Sequence, residues 1–183
     1  MILFVGRLHT VKGLIYLIRA FRDVLDKMPN CRLIIAGSGQ YDTYLCETKD
    51  ISTTVTFTGL LEKKELYEIY QIADIGVMPS FHEQCSYVAI EMMMHGVPLI
   101  ASTSTGLKEM VEDGVSGLHI PVIEHPDKVE IDVSELAKKI LYLLEHPQEA
   151  RKLGDNGRKR YEKIYTSETF GQNMVRFYQS LRL

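Results

Sequence analysis

Two basic residues lie near the start of the chain, where an apolar run gives way to a helical pattern. Arg7 follows Gly6 at the end of the strand-like run 2–5, and Lys12 with Gly13 immediately precedes the first amphipathic segment. A glycine at the end of a strand lets a ligand approach the backbone, and the N-terminus of a helix attracts anions. Two cations at this place suit a diphosphate, because each charge contact at ~4 Å contributes on the order of 4 kcal/mol before desolvation. The alternative is that both residues are ordinary surface cations.

One glutamate precedes an apolar helical segment and a second lies in the middle of it. Between Glu83 and Lys108 the chain has no Asp, Glu, Lys or Arg except Glu91, which is followed by three methionines. A lone carboxylate in such a segment is costly to bury unless hydrogen-bond donors satisfy it. The vicinal hydroxyls of a sugar would do so, and a Lys or Arg elsewhere in the chain is the alternative. Because Glu83 precedes the helix, we expect a carboxylate and a helix N-terminus to face one crevice.

A glycine-rich turn follows the second strand-like run. Residues 37–40 read Gly-Ser-Gly-Gln, which is similar to the start of a dinucleotide-binding fingerprint, but Asp42 stands where the third glycine belongs. The fingerprint should also follow the first strand, which lacks it. We therefore interpret residues 37–40 as a tight turn that brings backbone close to a ligand or a neighbouring loop. A dinucleotide-dependent oxidoreductase is disfavoured.

Short apolar runs alternate with amphipathic helical patterns over the first two thirds of the chain. Most of the runs are continuously apolar, as expected for strands that are covered on both faces. Strands are predicted at 2–5, 32–36, 54–58, 75–79, 98–101 and 117–121, and helices at 14–28, 63–72, 87–95 and 107–112. This alternation predicts a parallel sheet with helices on both faces, whose ligands bind at the carboxyl ends of the strands.

The remaining third of the chain is predicted to be mostly helical. Helices are predicted at 134–145, 148–164 and 167–180. They follow a charged loop at 123–132, and Ser134 and Ser167 are the predicted N-caps. The segment 151–163 carries six basic and two acidic residues, which we interpret as a solvated helix face rather than a membrane patch.

The composition bounds the class of protein. The 183 residues are 45% hydrophobic and 25% charged, which is typical of one globular domain and excludes a disordered, collagen-like or coiled-coil chain. The net charge of -3 disfavours a nucleic-acid binder. Three cysteines without a C-x-x-C pair disfavour a disulfide framework or a structural zinc. They favour a reducing compartment, so a cytoplasmic protein is expected.

One set of motifs occurs in a family-specific order along the whole chain. It consists of Gly6-Arg7, Lys12-Gly13, Gly37-Ser38-Gly39, Phe57-Thr58-Gly59, Pro79-Ser80, Glu83, Glu91, Gly96-Val97-Pro98, Gly106, Glu109, Gly114 and Gly117. This set resembles the donor-binding half of the GT-B glycosyltransferases, in particular the retaining family 4, the glycosyl transferases group 1. Seven residues separate the two central glutamates, as in the family's E-x7-E motif. The resemblance implies a Rossmann-like three-layer α/β sandwich with a six-stranded parallel sheet and helices on both faces.

The resemblance also implies a role for each matching residue. Arg7 and Lys12 would hold the diphosphate of a nucleotide-sugar. Glu91 would bind the ribose hydroxyls and Glu83 the donor sugar, so that Arg7, Lys12 and Glu83 form the catalytic set. The donor-binding set would be completed by Gly6, Gly37, Gly59, Leu60 and the backbone amides of Ser86, Tyr87 and Val88. No metal and no cofactor are implied, and the substrate would be a nucleoside diphosphate sugar, with UDP as the expected nucleotide.

Residues 1–183 would then be the C-terminal nucleotide-sugar-binding domain of a longer enzyme, whose acceptor-binding N-terminal domain is absent from this chain. The acceptor would be a growing glycan or a lipid-linked saccharide, and the intact enzyme would make peripheral contact with the inner face of the cytoplasmic membrane. The last helix, at about 167–183, would pack towards the absent domain. The chain alone would transfer no sugar.

Three neighbouring positions depart from the family pattern. Residues 84–86 read Gln-Cys-Ser where family members commonly have Gly-Phe-Gly, so side chains replace both glycines beside the expected sugar pocket. The identity of the donor sugar therefore stays open. The alternatives are a non-catalytic Rossmann-like nucleotide-binding module and half of a GT-B epimerase or phosphorylase. Two histidines receive structural interpretations: His82 orients the Glu83 loop, and His95 caps its helix.

Overall fold

The computed structural model describes residues 1–181. Its main sheet consists of β1 (Ile2–Val5), β2 (Leu33–Ala36), β3 (Val55–Gly59), β4 (Ile75–Met78), β5 (Leu99–Ser102) and β6 (Leu118–Ile120). All neighbouring strands are parallel and lie in the order β3-β2-β1-β4-β5-β6. The chain therefore adds strands outward on one side of β1 and then returns to add β4 on the other side. The carboxyl ends of β1 and β4 border the crevice where doubly wound sheets bind ligands.

Helices cover both faces of this sheet. They are α1 (Leu14–Lys27), α2 (Tyr41–Glu47), α3 (Lys63–Ile72), α4 (Tyr87–Met94), α5 (Thr105–Met110), α6 (Val133–Glu145), α7 (Pro147–Ile164) and α8 (Ser167–Ser180). Strand β1 shows how the two layers arise, because its side chains alternate between them. Ile2 and Phe4 pack in the core cluster beneath α1 and α6, whereas Leu3 packs in the cluster beneath α3, α4 and α5. A strand buried on both faces must be continuously apolar, which explains why these runs could be recognised.

The predicted strands and helices are confirmed, with ends that agree within two residues. The predicted N-caps are wrong. Asp132 rather than Ser134 caps α6, and Thr166 rather than Ser167 caps α8, each accepting a hydrogen bond from the amide three residues on. Asp, Ser and Thr are all good N-caps, so the sequence alone does not define the first residue of these helices to better than one or two positions.

Two elements have no clear pattern in the sequence. Helix α2 depends on tertiary contacts: Tyr44 is buried, and Arg22 of α1 donates to Asp50 at 2.9 Å and to Glu47. The hydrogen bond from Arg22 lowers the pKa of the Asp50 carboxyl. The predicted loop 123–132 contains an antiparallel hairpin, β7 (Ile123–Glu124) and β8 (Val129–Glu130), whose two-residue strands are too short to show periodicity.

Helices α7 and α4 meet at two glycines. A Cβ on Gly154 would lie only 2.1 Å from the carbonyl oxygen of Gly96, so the backbone of α7 touches the turn after α4. This contact fixes the C-terminal end of α4, which is the end farther from the crevice. Helix α8 has no buried residue and exposes Phe170, Phe177 and Tyr178.

Where α8 packs in a longer protein stays a prediction, and residues 182–183 of the predicted last helix lie outside the described residues. Among residues 1–181, every helix is too short or too polar to cross a bilayer.

The glycine contact can be tested with two alanine substitutions. Gly154→Ala is expected to lower the free energy of unfolding by about 1–3 kcal/mol, because the added methyl group forces the two backbones apart. Gly171→Ala, where nothing lies within 4 Å of the added methyl, is expected to be neutral or to raise it by up to about 1 kcal/mol. Urea denaturation measures both values, and equal effects of the two substitutions would contradict the close packing of α7 against α4.

Candidate functional site

The loops that follow β1 and β4 are in direct backbone contact. The amide of Phe81 donates to the carbonyl of Val11 at 2.8 Å. Gly13 has a left-handed φ of +67°, and a Cβ there would lie 1.9 Å from the carbonyl oxygen of Pro79. Glycine is therefore required at position 13, since both the dihedral and the space exclude a side chain. The contact brings the cations of one loop to the carboxylate of the other.

The loop that carries Glu83 is held by its neighbours on either side. The ring of Phe81 packs edge-on against Tyr16 with 5.4 Å between centroids, and the amide of Gly106 donates to the Glu83 carbonyl at 2.8 Å. His82 is exposed and makes no hydrogen bond within the described residues. The interpretation of His82 as the orienting residue is therefore wrong, because Phe81 and Gly106 fix the loop.

Helix α4 begins at the crevice with two unpaired backbone amides. Ser86 caps the helix, with its hydroxyl accepting from the Ala89 amide at 3.2 Å. The Ser86 amide lies 3.4 Å from the Met110 sulfur, which is a weak hydrogen-bond acceptor. Among residues 1–181 the amides of Tyr87 and Val88 find no acceptor. The N-terminus of α4, with its partial positive charge, therefore faces the crevice.

The glycine-rich segment after β2 packs against the loop after β1. Gly37 has a φ of +143°, and a Cβ there would lie 1.9 Å from the carbonyl oxygen of Gly6. A single parallel bridge joins Gly39 to Leu8. The predicted close approach to a neighbouring loop is thus confirmed, but the predicted tight turn is wrong, because residues 37–39 continue as extended backbone beside the loop after β1.

Two adjoining clefts open at this place, with volumes of about 240 and 310 Å³. They share Val5, Gly6 and Arg7. The first is also lined by Lys12, Glu83, Ser86, Tyr87 and Val88, and the second by Gly37 and Leu60. Of the predicted set, only Gly59 and Glu91 line neither cleft. Gly59 ends β3, and Glu91 lies one helical turn beyond Val88 on α4.

Several lining residues were not predicted from the sequence. Ser38, Leu61 and Leu66 line the second cleft, and Ser80 and Cys85 the first. Ser38, Leu61 and Cys85 flank predicted site residues in the sequence, and Ser80 belongs to the quoted Pro79-Ser80 motif, which are the signals that could have found them. Leu66 lies inside α3, and only the fold brings it to the cleft.

The charges of the first cleft are partly balanced. The Lys12 ammonium forms an ion pair with the Glu83 carboxylate, and the side chains are 26% and 14% exposed. Arg7 is exposed, and no carboxylate lies within 4 Å of it among the described residues. An anion that enters the cleft thus meets one free cation and must compete with Glu83 for the other.

Glu91 has a neutral partner. Its Oε2 accepts a hydrogen bond of 3.0 Å from the hydroxyl of Tyr70, and its carbonyl accepts one of 2.8 Å from the His95 ring. Within residues 1–181 no Lys or Arg pairs with the Glu91 carboxylate. The alternative that a basic residue neutralises Glu91 is therefore wrong for the described chain. His95 caps α4, as interpreted from the sequence.

A larger concavity lies elsewhere in the described part of the chain. It has a volume of about 740 Å³ and is lined by residues such as Met1, Asp74 and Pro98, at the amino ends of the strands. Ligands of doubly wound sheets bind at the carboxyl ends, so the smaller clefts are the better candidate site. Among residues 1–181, no three His, Cys, Asp or Glu side chains cluster as a metal site would require.

A doubly wound parallel sheet with a cationic cleft at its switch point defines a Rossmann-like α/β domain that can accept an anionic ligand. The model of the family "Glycosyl transferases group 1" matches residues 1–160. The chain belongs to this family.

Known proteins agree with this assignment. An uncharacterized glycosyltransferase of Methanocaldococcus jannaschii is 39% identical over 132 residues, which are 70% of this chain and 33% of that protein. A GDP-mannose-dependent monoacylated alpha-(1-6)-phosphatidylinositol monomannoside mannosyltransferase of Corynebacterium glutamicum is 32% identical over 183 residues, 96% of this chain and 46% of that protein. The chain thus spans less than half the length of these relatives.

A solved structure supports the fold. The crystal structure of HepE from Anabaena in complex with UDP superposes with a TM-score of 0.84 at 21% identity, covering 98% of this chain and 48% of that one. At this identity the likeness concerns the fold. It confirms the predicted Rossmann-like half of a GT-B fold.

The ion pair in the first cleft leads to a prediction about anion binding. Glu83→Gln is expected to tighten the binding of inorganic pyrophosphate by about tenfold, because it frees Lys12 and removes a repelling charge. Lys12→Met is expected to weaken it by a similar factor. Calorimetric titration at low salt measures both, with Glu149→Gln on α7, which removes a surface ion pair with Lys152, as the control. Unchanged or weaker binding by Glu83→Gln would contradict the proposed competition.

Proposed function

We propose that the chain is the donor-binding half of a retaining, metal-independent glycosyltransferase that moves a sugar from a nucleoside diphosphate sugar to an acceptor. The observation that carries this proposal is the convergence of Arg7, Lys12, Glu83 and the free amides of α4 in one cleft at the switch point. Family membership supports the reaction class. The assignment of these residues to the donor is the proposal.

The charges of the cleft suit the departure of a nucleoside diphosphate. When the bond between the anomeric carbon and the diphosphate oxygen breaks, the electron pair remains on that oxygen. Arg7, Lys12 and the N-terminus of α4 would stabilise the new negative charge, and they are in place before the reaction. Glu83 would exchange its contact with Lys12 for the hydroxyls of the donor sugar once the diphosphate has bound.

The second cleft would hold the base, and its chemistry favours uracil. Its lining is apolar apart from Arg7, Ser38 and backbone groups, and it includes no carboxylate. The nearest carboxylates along the chain are already used, because Glu62 and Glu65 form a capping box at the start of α3. Guanine offers several N–H donors that a carboxylate binds well, whereas uracil can be satisfied by backbone groups. UDP is therefore the proposed nucleotide.

We further propose that the acceptor is a growing glycan or a lipid-linked saccharide bound by an N-terminal domain that lies outside this chain. The relatives' length, more than twice the matched part, is consistent with such a second domain. The protein would act in the cytoplasm, at the inner face of the membrane.

Nucleotide titration tests the donor site. Calorimetry with UDP, GDP and ADP is expected to show weak binding with UDP preferred. Arg7→Ala and Glu91→Ala are each expected to lower the affinity by about tenfold, since each removes a charged hydrogen-bonding group. The control is Arg158→Ala, which removes an exposed cation on α7. Binding of none of the three nucleotides, or equal affinities for all variants, would refute the donor site.

An activity assay separates a donor-binding half from a complete enzyme. The 183-residue chain with UDP-glucose and an oligosaccharide acceptor is expected to form no product, because the acceptor side of the cleft is supplied by the proposed second domain. Product formation, followed by chromatography of the acceptor, would show that the chain needs no such domain.

A further inference from the structure

Tyr70 is a buried polar residue that the proposed mechanism has not yet used. It lies in the last turns of α3 and is 1% exposed. Its hydroxyl donates to Oε2 of Glu91 on α4 at 3.0 Å, across 21 positions of the sequence. A buried phenol needs an acceptor, and this carboxylate is the partner that the fold provides.

We propose that Tyr70 is the positioning residue for Glu91: its hydroxyl holds Oε2 and so presents the other carboxylate oxygen, Oε1, to the ribose hydroxyls of the donor. This inference rests on the proposed function, in which Glu91 binds the ribose. Among the described residues, no side chain or amide donates to Oε1. That oxygen thus keeps its capacity to accept hydrogen bonds.

The surroundings of Tyr70 favour the protonated form of its phenol. Burial, followed by the negative charge of Glu91, raises the pKa of Tyr70 far above its usual range. The hydroxyl therefore keeps its proton, and its only hydrogen-bonding role towards the carboxylate is donation.

Two neighbouring rings fix the position of the Tyr70 hydroxyl. The ring of Tyr70 lies 6.2 Å from that of Tyr67 and 5.2 Å from that of His95, measured between centroids. The His95 ring bonds to the carbonyl of Glu91, the residue whose side chain Tyr70 holds. The cluster of Tyr67, Tyr70 and His95 thus connects the Tyr70 hydroxyl firmly to helix α4, which carries Glu91.

A neutral partner suits a ribose-binding carboxylate better than a cation does. A Lys or Arg would cancel the charge and would compete with the sugar hydroxyls for both oxygens. A single phenol restricts the rotation of the carboxylate and leaves its negative charge available. The conformational entropy of the Glu91 side chain is then lost when the protein folds and not when the nucleotide-sugar binds.

The test compares two tyrosines of the same cluster. Tyr70→Phe removes the hydroxyl that bonds Glu91, whereas the matched control Tyr67→Phe removes one that does not. Each variant is titrated with UDP and with 2′,3′-dideoxy-UDP, which lacks the ribose hydroxyls. Tyr70→Phe is expected to weaken UDP binding by about tenfold and to leave the dideoxy nucleotide almost unchanged. Tyr67→Phe is expected to change neither.

A double-mutant cycle shows whether Tyr70 acts through Glu91. In the Glu91→Gln background, Tyr70→Phe is expected to cause no further loss of UDP affinity, because the carboxylate that it positions is gone. Full additivity of the two losses would overturn the inference. Circular dichroism and thermal unfolding confirm that each variant is folded.

The outcomes separate this inference from the proposed function. Wild-type UDP affinity in Tyr70→Phe, or an equal loss for both nucleotides, overturns the positioning role while Glu91→Gln still reports on the ribose site. A wild-type chain that binds UDP and its dideoxy analogue equally overturns the ribose role of Glu91 and with it this inference. No binding of any nucleotide overturns the proposed function itself.

Discussion

The backbone contact between the loops after β1 and β4 determines the geometry of the whole site. Gly13 lies against the Pro79 carbonyl, and the Phe81 amide bonds to Val11, so the two loops cannot move apart independently. One loop carries the cations and the other the acidic residue and the start of α4. The contact exists because the strand order reverses between β1 and β4, which places these two carboxyl ends side by side.

The charges of the first cleft are partly balanced by the protein's own groups. Lys12 and Glu83 neutralise each other, Arg7 remains exposed, and the amides of Tyr87 and Val88 lack acceptors among the described residues. A partly buried cation without a partner is costly, so the ion pair with Glu83 stabilises Lys12 at this place. A diphosphate would bring enough negative charge to replace Glu83 as the partner of Lys12.

The Glu91 carboxylate is held in a different way from that of Glu83. It is restrained by the neutral hydroxyl of Tyr70 and by a helix whose end is fixed by His95 and by the packing of Gly154 against Gly96. The site therefore combines one carboxylate that must exchange partners with one that is oriented in advance. The packing of α7 and α3 on α4 is what makes the second arrangement stable.

The sheet and most helices could be predicted because their signals are local. Continuous apolar runs such as residues 2–5 indicate strands buried on both faces, and periodic runs such as Leu14–Lys27 indicate amphipathic helices. Helix α2 could not be predicted, since the burial of Tyr44 and the contacts of Arg22 come from other parts of the chain. The N-caps of α6 and α8 were wrong because several good capping residues stand next to each other.

The sequence by itself determined which residues carry charge and hydrogen-bonding groups, and the order of the strands and helices that bear them. The tertiary structure alone decided their partners: Lys12 with Glu83 across 71 positions, and Tyr70 with Glu91 across 21. No local pattern encodes such pairs. They arise where a crossover brings two strand ends together or where one helix packs on another, and these contacts depend on the fit of the whole core.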